Sequence, residues 1–351
     1  MTSPTQKHRI EYIDILRGLC ILWVVWFHLP NLGLNHYPIR MPLFFFLSGI
    51  FFKEYTLNEF VFKKINTLLI PFIFFCLIGY FYKLGIYEFF SHFSTHGEDA
   101  TFDFSSIFSM FSVIWTGEVT INPPLWFIAA LLFFQIILYS IIRIFRSLPG
   151  RIVCCLLVSA VIIATSPSNG TILHNNLWLF IFYCAGFLFG KPFLKRIEST
   201  PIKSVIAPAL IGIALFAAIY FIPKPSLPTI ARTIGVFAYS ILIFEFIIVF
   251  KYLAKFRIFH TLKFWGSNSY AVLGTHLIAM EILSTFYCVI FNTTLASALP
   301  QVILFVVTVV SVYPVILFLN RYCPMLVGKK DLIKYKTAGR EERPAVTTAA
   351  E

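Results

Sequence analysis

At 351 residues the chain is 58% hydrophobic, 18% aromatic and 13% charged, with 41 phenylalanines. Soluble domains run at about 45–50% apolar and about 25% charged residues, so the composition excludes a soluble globular protein and points to helices solvated by lipid. The net charge of +12 could indicate nucleic-acid binding, and its placement along the chain decides that question.

A helix crosses a bilayer with about 20 mostly apolar residues. The first ten residues are polar and no small-residue cleavage site follows the first apolar run, so no cleavable signal peptide is expected. Apolar segments fall at 10–29, 37–52, 65–82, 123–142, 152–166, 177–190, 204–222, 229–250, 268–291 and 298–319. They predict an all-α, polytopic membrane protein of about ten spans, with one transmembrane domain over 1–328. The second segment is short: its apolar part, MPLFFFLSGIFF, has twelve residues, as suits a short, broken or re-entrant helix. FSSIFSMFSVIWT at 104–116 is Ser-rich and is placed at the membrane surface; if it spans, the topology after it inverts. Beyond Gly328 the chain is charged and then small-polar, the composition of a disordered tail over 329–351. The cysteines show no metal-ligand spacing and read as small apolar fillers.

The charge map gives this scheme a direction. With the N-terminus inside, 23 of the 28 Lys and Arg fall in inner segments or the tail, as the positive-inside rule demands. Outside lie Arg40, Lys83 and Lys224, and Arg17 and Arg232 lie within spans. The positive charge is thus a topology signal, nucleic acid drops out, and both termini are expected in the cytoplasm of a multi-pass cell-membrane protein.

DILRGLCILWVVWFH, residues 14–28, carries three polar side chains that are costly inside a bilayer. On a helix, Arg17 and His28 are eleven residues apart, three turns plus about 20° and roughly 17 Å along the axis. They share a face. Asp14 stands three residues before Arg17, within ion-pair reach. Snorkelling of Asp14 and Arg17 to the interface, and a merely interhelical role for His28, are the structural alternatives. The shared face favours function, since histidine titrates near neutrality and suits proton transfer.

Asp-x-x-Arg-Gly with ten residues between the arginine and a following histidine resembles the acyltransferase-3 family of integral membrane acyltransferases. FFFLSG at 44–49, with Ser48 and Gly49, resembles the family's Phe-Phe-x-x-Ser-Gly element. Lys63-Lys64 before LLIP resembles its basic loop leading to a proline. PLWFIAALL at 124–132, with Trp126, and WGSNSYAVLGTHL at 265–277 resemble two further elements, all in order over about 10–320. One departure stands out: where the family often carries Arg-x-x-Arg, Lys63 and Lys64 are followed three residues later by Asn66 and Thr67. No esterase-like domain of the kind longer relatives carry follows within these residues, so the acceptor is expected to meet the membrane unit itself.

The resemblance implies transfer of an acyl group, most often acetyl, from cytoplasmic acyl-CoA to a hydroxyl of a cell-surface or lipid-linked glycan. Acetyl-CoA would be a cosubstrate, and no tightly bound cofactor or metal is expected. His28 is the expected general base or acyl carrier, Arg17, Lys63 and Lys64 the donor-binding cations, and Asp14 the group that orients Arg17. Ser48, Asn268, Ser269 and Tyr270 are possible oxyanion donors. His276 and Glu281 either line the cavity or bond between helices, and Trp126 reads more readily as an interfacial belt residue than as a sugar platform. The buried Asp, Arg, His and Glu suit a proton-coupled transporter or flippase as well, and a small-molecule acceptor is a third reading.

Overall fold

The structure, a computed structural model, describes residues 10–29, 32, 39–90, 121–165, 172–201, 228–293 and 295–335, with isolated positions between 203 and 217. The Ser-rich stretch 104–116 and most of the expected span 204–222 lie outside the described residues.

Helix α1 (Glu11–Phe27) carries the polar-studded stretch. Glu11 and Asp14 stand in its first turn, where the positive end of the helix dipole favours carboxylates, and it stops three residues short of Pro30. Helix α2 (Arg40–Ile50) has eleven residues, about 16 Å at 1.5 Å per residue, so it falls well short of the hydrocarbon core. Nine of its residues are buried, as expected of a helix apolar on nearly all sides and enclosed by other helices.

Residues 57–64, expected in a basic loop, are helical instead. Thr56-Leu-Asn-Glu59 forms a capping box that starts α3 (Leu57–Lys64): the Thr56 hydroxyl accepts from the Glu59 N–H, and the Glu59 carboxylate accepts from the Thr56 N–H. A π-helical stretch, Ile65–Leu69, joins α3 to α4 (Ile70–Phe90). Pro71 lies just beyond it; proline offers no N–H and in a regular α-helix crowds the carbonyl four residues earlier, here that of Thr67. Within this stretch Asn66 Nδ2 donates to the Phe62 carbonyl and Thr67 Oγ1 to that of Lys63, at the end of α3.

The remaining helices are α5 (Trp126–Ile144), α6 (Leu148–Thr165), α7 (Phe180–Glu198), α8 (Pro228–Leu253), α9 (Leu262–Ser267), α10 (Ser269–Phe291) and α11 (Ala298–Tyr322). Seven stretches, starting at Leu57, Pro123, Leu148, Leu173, Thr229, Ser269 and Ala298, are long and apolar enough to cross a membrane. They coincide with seven of the ten expected segments; α1 and α2, of 17 and 11 residues, occupy two more without reaching that length. The described residues contain no strand, and the chain is an all-α polytopic membrane protein.

Four pairings gather the basic helix ends on one face. Lys263 Nζ is 2.8 Å from Glu11, Arg151 is 2.7 Å from Glu54 and Lys63 is 3.3 Å from Asp331. Lys251 Nζ caps the C-terminal carbonyls of α7, donating to Ile197 and Glu198. Residues 329–335, expected to be disordered, belong to the folded unit. Asn66 Oδ1 accepts from the N–H groups of Leu332 and Ile333, both at 2.9 Å, its Nδ2 donates to the Ile333 carbonyl, and Tyr335 stacks on Phe62. Asn66 is 1% exposed, and its amide supplies the partners this segment's backbone needs.

Candidate active site

The site is built on the register of α1 against α9 and α10. Glycines bring the backbones together: a Cβ on Gly18 would overlap the Leu262 carbonyl, and one on Gly266 the carbonyl of Asp14. With Glu11 tied to Lys263 at the basic end, α1 and α10 rise side by side. Their register brings His28, the C-cap of α1, to the level of His276 in the middle of α10.

The two imidazoles touch. His276 Nε2 lies 3.3 Å from His28 Nδ1, with ring centroids 5.0 Å apart. Each Nδ1 is also 2.8 Å from the carbonyl one turn back, Val24 for His28 and Val272 for His276. A carbonyl only accepts, so in the neutral rings the proton sits on Nδ1 in both. His276 therefore presents a lone pair on Nε2 to the Nδ1–H of His28, and His28 keeps its own Nε2 lone pair. His276 is fully buried. Asn122 holds the same stretch of α10, its Nδ2 donating to the Gly274 carbonyl at 2.9 Å, and the Phe75 ring lies against Gly274.

Arg40 belongs to the His28 end of the site. Its guanidinium is 3.6 Å from the ring centroid of Phe27, the residue before His28, and it is 7% exposed. A cation–π contact of this kind offsets part of the cost of a buried cation. Sequence reading counted Arg40 only as an outer-face charge. The available signal was an arginine opening the apolar FFFLSG helix next to Pro42.

Arg17 occupies the other level, three turns toward the basic face. Its Nη2 donates to the Leu47 carbonyl at 3.4 Å and its guanidinium lies 4.7 Å from the Phe51 ring centroid, so it reaches the C-terminal end of α2. Asp14, one turn earlier, is buried. Lys63 is engaged by Asp331, while Lys64 Nζ sits 5.4–5.5 Å from the ring centroids of Phe52, Tyr55 and Phe60.

The other expected residues separate by level. The Ser48 hydroxyl donates to the Phe44 carbonyl at 2.8 Å. Asn268 donates to the Phe264 carbonyl, and its oxygen accepts from Asn320 and Lys329; these bonds tie α9, α11 and the C-terminal segment together at the basic face. Ser269 and Tyr270 begin α10 on that level, and Gly49 contacts the Tyr183 carbonyl of α7. Trp126 packs beside Phe45 and Phe127. Glu281, one to two turns beyond His276, meets the Tyr82 hydroxyl of α4.

The acyltransferase-3 family model, described as an acyltransferase domain, matches residues 10–319. No curated protein and no solved structure matches the chain.

Proposed function

The chain belongs to the acyltransferase-3 family, and from that premise we propose that it carries an acyl group, expected to be acetyl, from cytoplasmic acyl-CoA to a hydroxyl of a cell-surface or lipid-linked glycan. The observation that carries this reading is the touching imidazole pair: His28 is held through Nδ1 by the Val24 carbonyl and His276, so that in its neutral form the Nε2 lone pair is left for a substrate. A sugar hydroxyl is a weak nucleophile at neutral pH and gains from a positioned base.

In the proposed reaction His28 Nε2 takes the hydroxyl proton as the oxygen attacks the thioester carbonyl. A C–O bond forms, the C–S bond breaks, and the CoA thiolate leaves with the proton that His28 held. While His28 is protonated, the His276 lone pair accepts from its Nδ1–H and shares the charge. Arg40 is placed to offer positive charge at the His28 end, where the oxyanion would develop. Arg17 serves the donor: its level, nearer the basic face, supports contact with the pantetheine arm or a phosphate, with Asp14 orienting it. Lys64 and Lys63 add positive charge on the same face. That face is taken as cytoplasmic from the positive-inside rule; the expected location is a cell membrane, with the acceptor on the opposite side.

Purified protein, labelled acetyl-CoA and a panel of glycan acceptors test the assignment, with His28→Ala and Arg17→Ala beside wild type. Loss of transfer in His28→Ala, in protein that remains folded and inserted, is the expected result; Arg17→Ala should raise the apparent KM for the donor. Undiminished transfer by His28→Ala would remove it from catalysis. Substrate flux with no acyl transfer would favour a transporter.

A further inference from the structure

A second, unassigned concavity opens on the basic face between the segment after α2, the end of α5 and the start of α6. It is a cleft of about 500 Å³ lined by Phe52, Tyr55, Tyr139, Arg143, Arg146 and Arg151. Three guanidiniums share it with one carboxylate, Glu54. Arg151 is fixed in place, donating to Glu54 at 2.7 Å and through Nε to the Phe145 carbonyl at 2.9 Å. Arg143 and Arg146 are exposed and enter no ion pair among the described residues. Like charges held together in a concave, partly aromatic pocket raise the local concentration of anions, and guanidinium forks match phosphate oxygens.

The opposite wall is aromatic and ordered. Tyr139 stacks on Phe60 with centroids 4.1 Å apart, Phe52 packs edge-on against Tyr183, and Lys64 lies behind this wall over the Phe52, Tyr55 and Phe60 rings. Arginines on one side and aromatic faces on the other are the two elements that hold a phosphorylated nucleoside, phosphates by charge and base by stacking. Phe52 of the cleft wall follows Phe51, over which Arg17 lies. Lys63, elsewhere on this face, is engaged by the C-terminal segment through Asp331.

We propose that this cleft binds the 3′-phosphorylated ADP end of the acyl-CoA donor, with Arg143 and Arg146 holding the phosphates and the Phe52–Tyr55–Tyr139 wall facing the adenine. The pantetheine arm then runs past Phe51 and Arg17 toward His28. The proposal rests on acyl-CoA being the donor. A lipid headgroup would present similar phosphate chemistry, so the test separates the two sources.

Equilibrium binding is measured on the full chain in nanodiscs of zwitterionic lipid, with CoA, dephospho-CoA and adenosine 3′,5′-diphosphate as ligands. Wild type is expected to bind CoA and adenosine 3′,5′-diphosphate, and dephospho-CoA more weakly. Arg143→Gln with Arg146→Gln should weaken the first two at least tenfold while the thermal unfolding midpoint holds, since both positions are exposed. Lys195→Gln, at an exposed position of α7 outside the cleft lining, should change binding less than twofold. An unchanged Kd for CoA in the double variant overturns the cleft assignment and leaves the donor reading standing. Absence of both CoA binding and acetyl transfer in wild type overturns the donor reading itself. Anionic lipid retained through purification by wild type and lost from the double variant, with no nucleotide binding by either, makes the cleft a headgroup site and also overturns the proposal.

Discussion

His28 and His276 stand 248 residues apart in sequence, and their meeting depends on backbone contacts that no local pattern announces. Read alone, each histidine was open to a structural explanation. Placed together, with both Nδ1 atoms committed to carbonyls, they acquire a direction: His276 accepts and His28 donates. His276 is thus a positioning residue. We expect His276→Ala to lower kcat by about 10²-fold, within the range for general-base assistance, with the KM for acyl-CoA little changed. His276→Gln, which retains an acceptor, should recover part of the loss. Equal losses in both variants together with a raised KM would indicate a merely structural role. Asn66 makes the same point about isolated positions. In the sequence it stands only as a departure from the Arg-x-x-Arg pattern; in the structure it clamps Leu332 and Ile333. Asn66→Ala should cost about 1–3 kcal/mol by orphaning those groups, read as faster amide exchange at Leu332 and Ile333, and protection unchanged there would contradict the clamp.

At the level of elements, much could be read in advance from hydropathy, because a helix in lipid must be apolar over its whole length. The short α2 was expected from its twelve-residue apolar run. The helical nature of 57–64 was not, although Thr56-Leu-Asn-Glu59 spells a capping box; a basic pair beside polar residues looked like a loop. The π stretch before Pro71 lies beyond hydropathy altogether, since it is a matter of backbone hydrogen-bond pairing and not of apolar pattern. Glycine placement carries a testable consequence. Gly186 faces the Phe46 carbonyl and Gly49 the Tyr183 carbonyl, so α2 and α7 touch backbone to backbone, as small residues allow in membrane proteins. Gly186→Ala should force these helices apart at a cost of about 1–3 kcal/mol and lower the unfolding temperature in detergent. An unchanged midpoint would show that the contact yields without strain.

Across the whole molecule, one face collects the positive charge and holds the ion pairs that tie helix ends together, while His28 lies about three turns of α1 away from Arg17. Charge counting alone located that face; the arginine–aromatic cleft on it, and Arg40 beside the His28 end, emerged only when helices distant in sequence were set side by side. The account therefore makes a directional claim, that the acyl group enters on the basic side and reaches the acceptor on the other. The most direct measurement uses the protein reconstituted in sealed liposomes in a determined orientation, with labelled acetyl-CoA confined to the side of the basic face and a glycan acceptor confined to the opposite side. Wild type is predicted to label the acceptor, His28→Ala to leave it unlabelled, and exchange of the two compartments to abolish transfer. Labelling by His28→Ala at the wild-type rate, or transfer only when donor and acceptor share the His28 side, would contradict it.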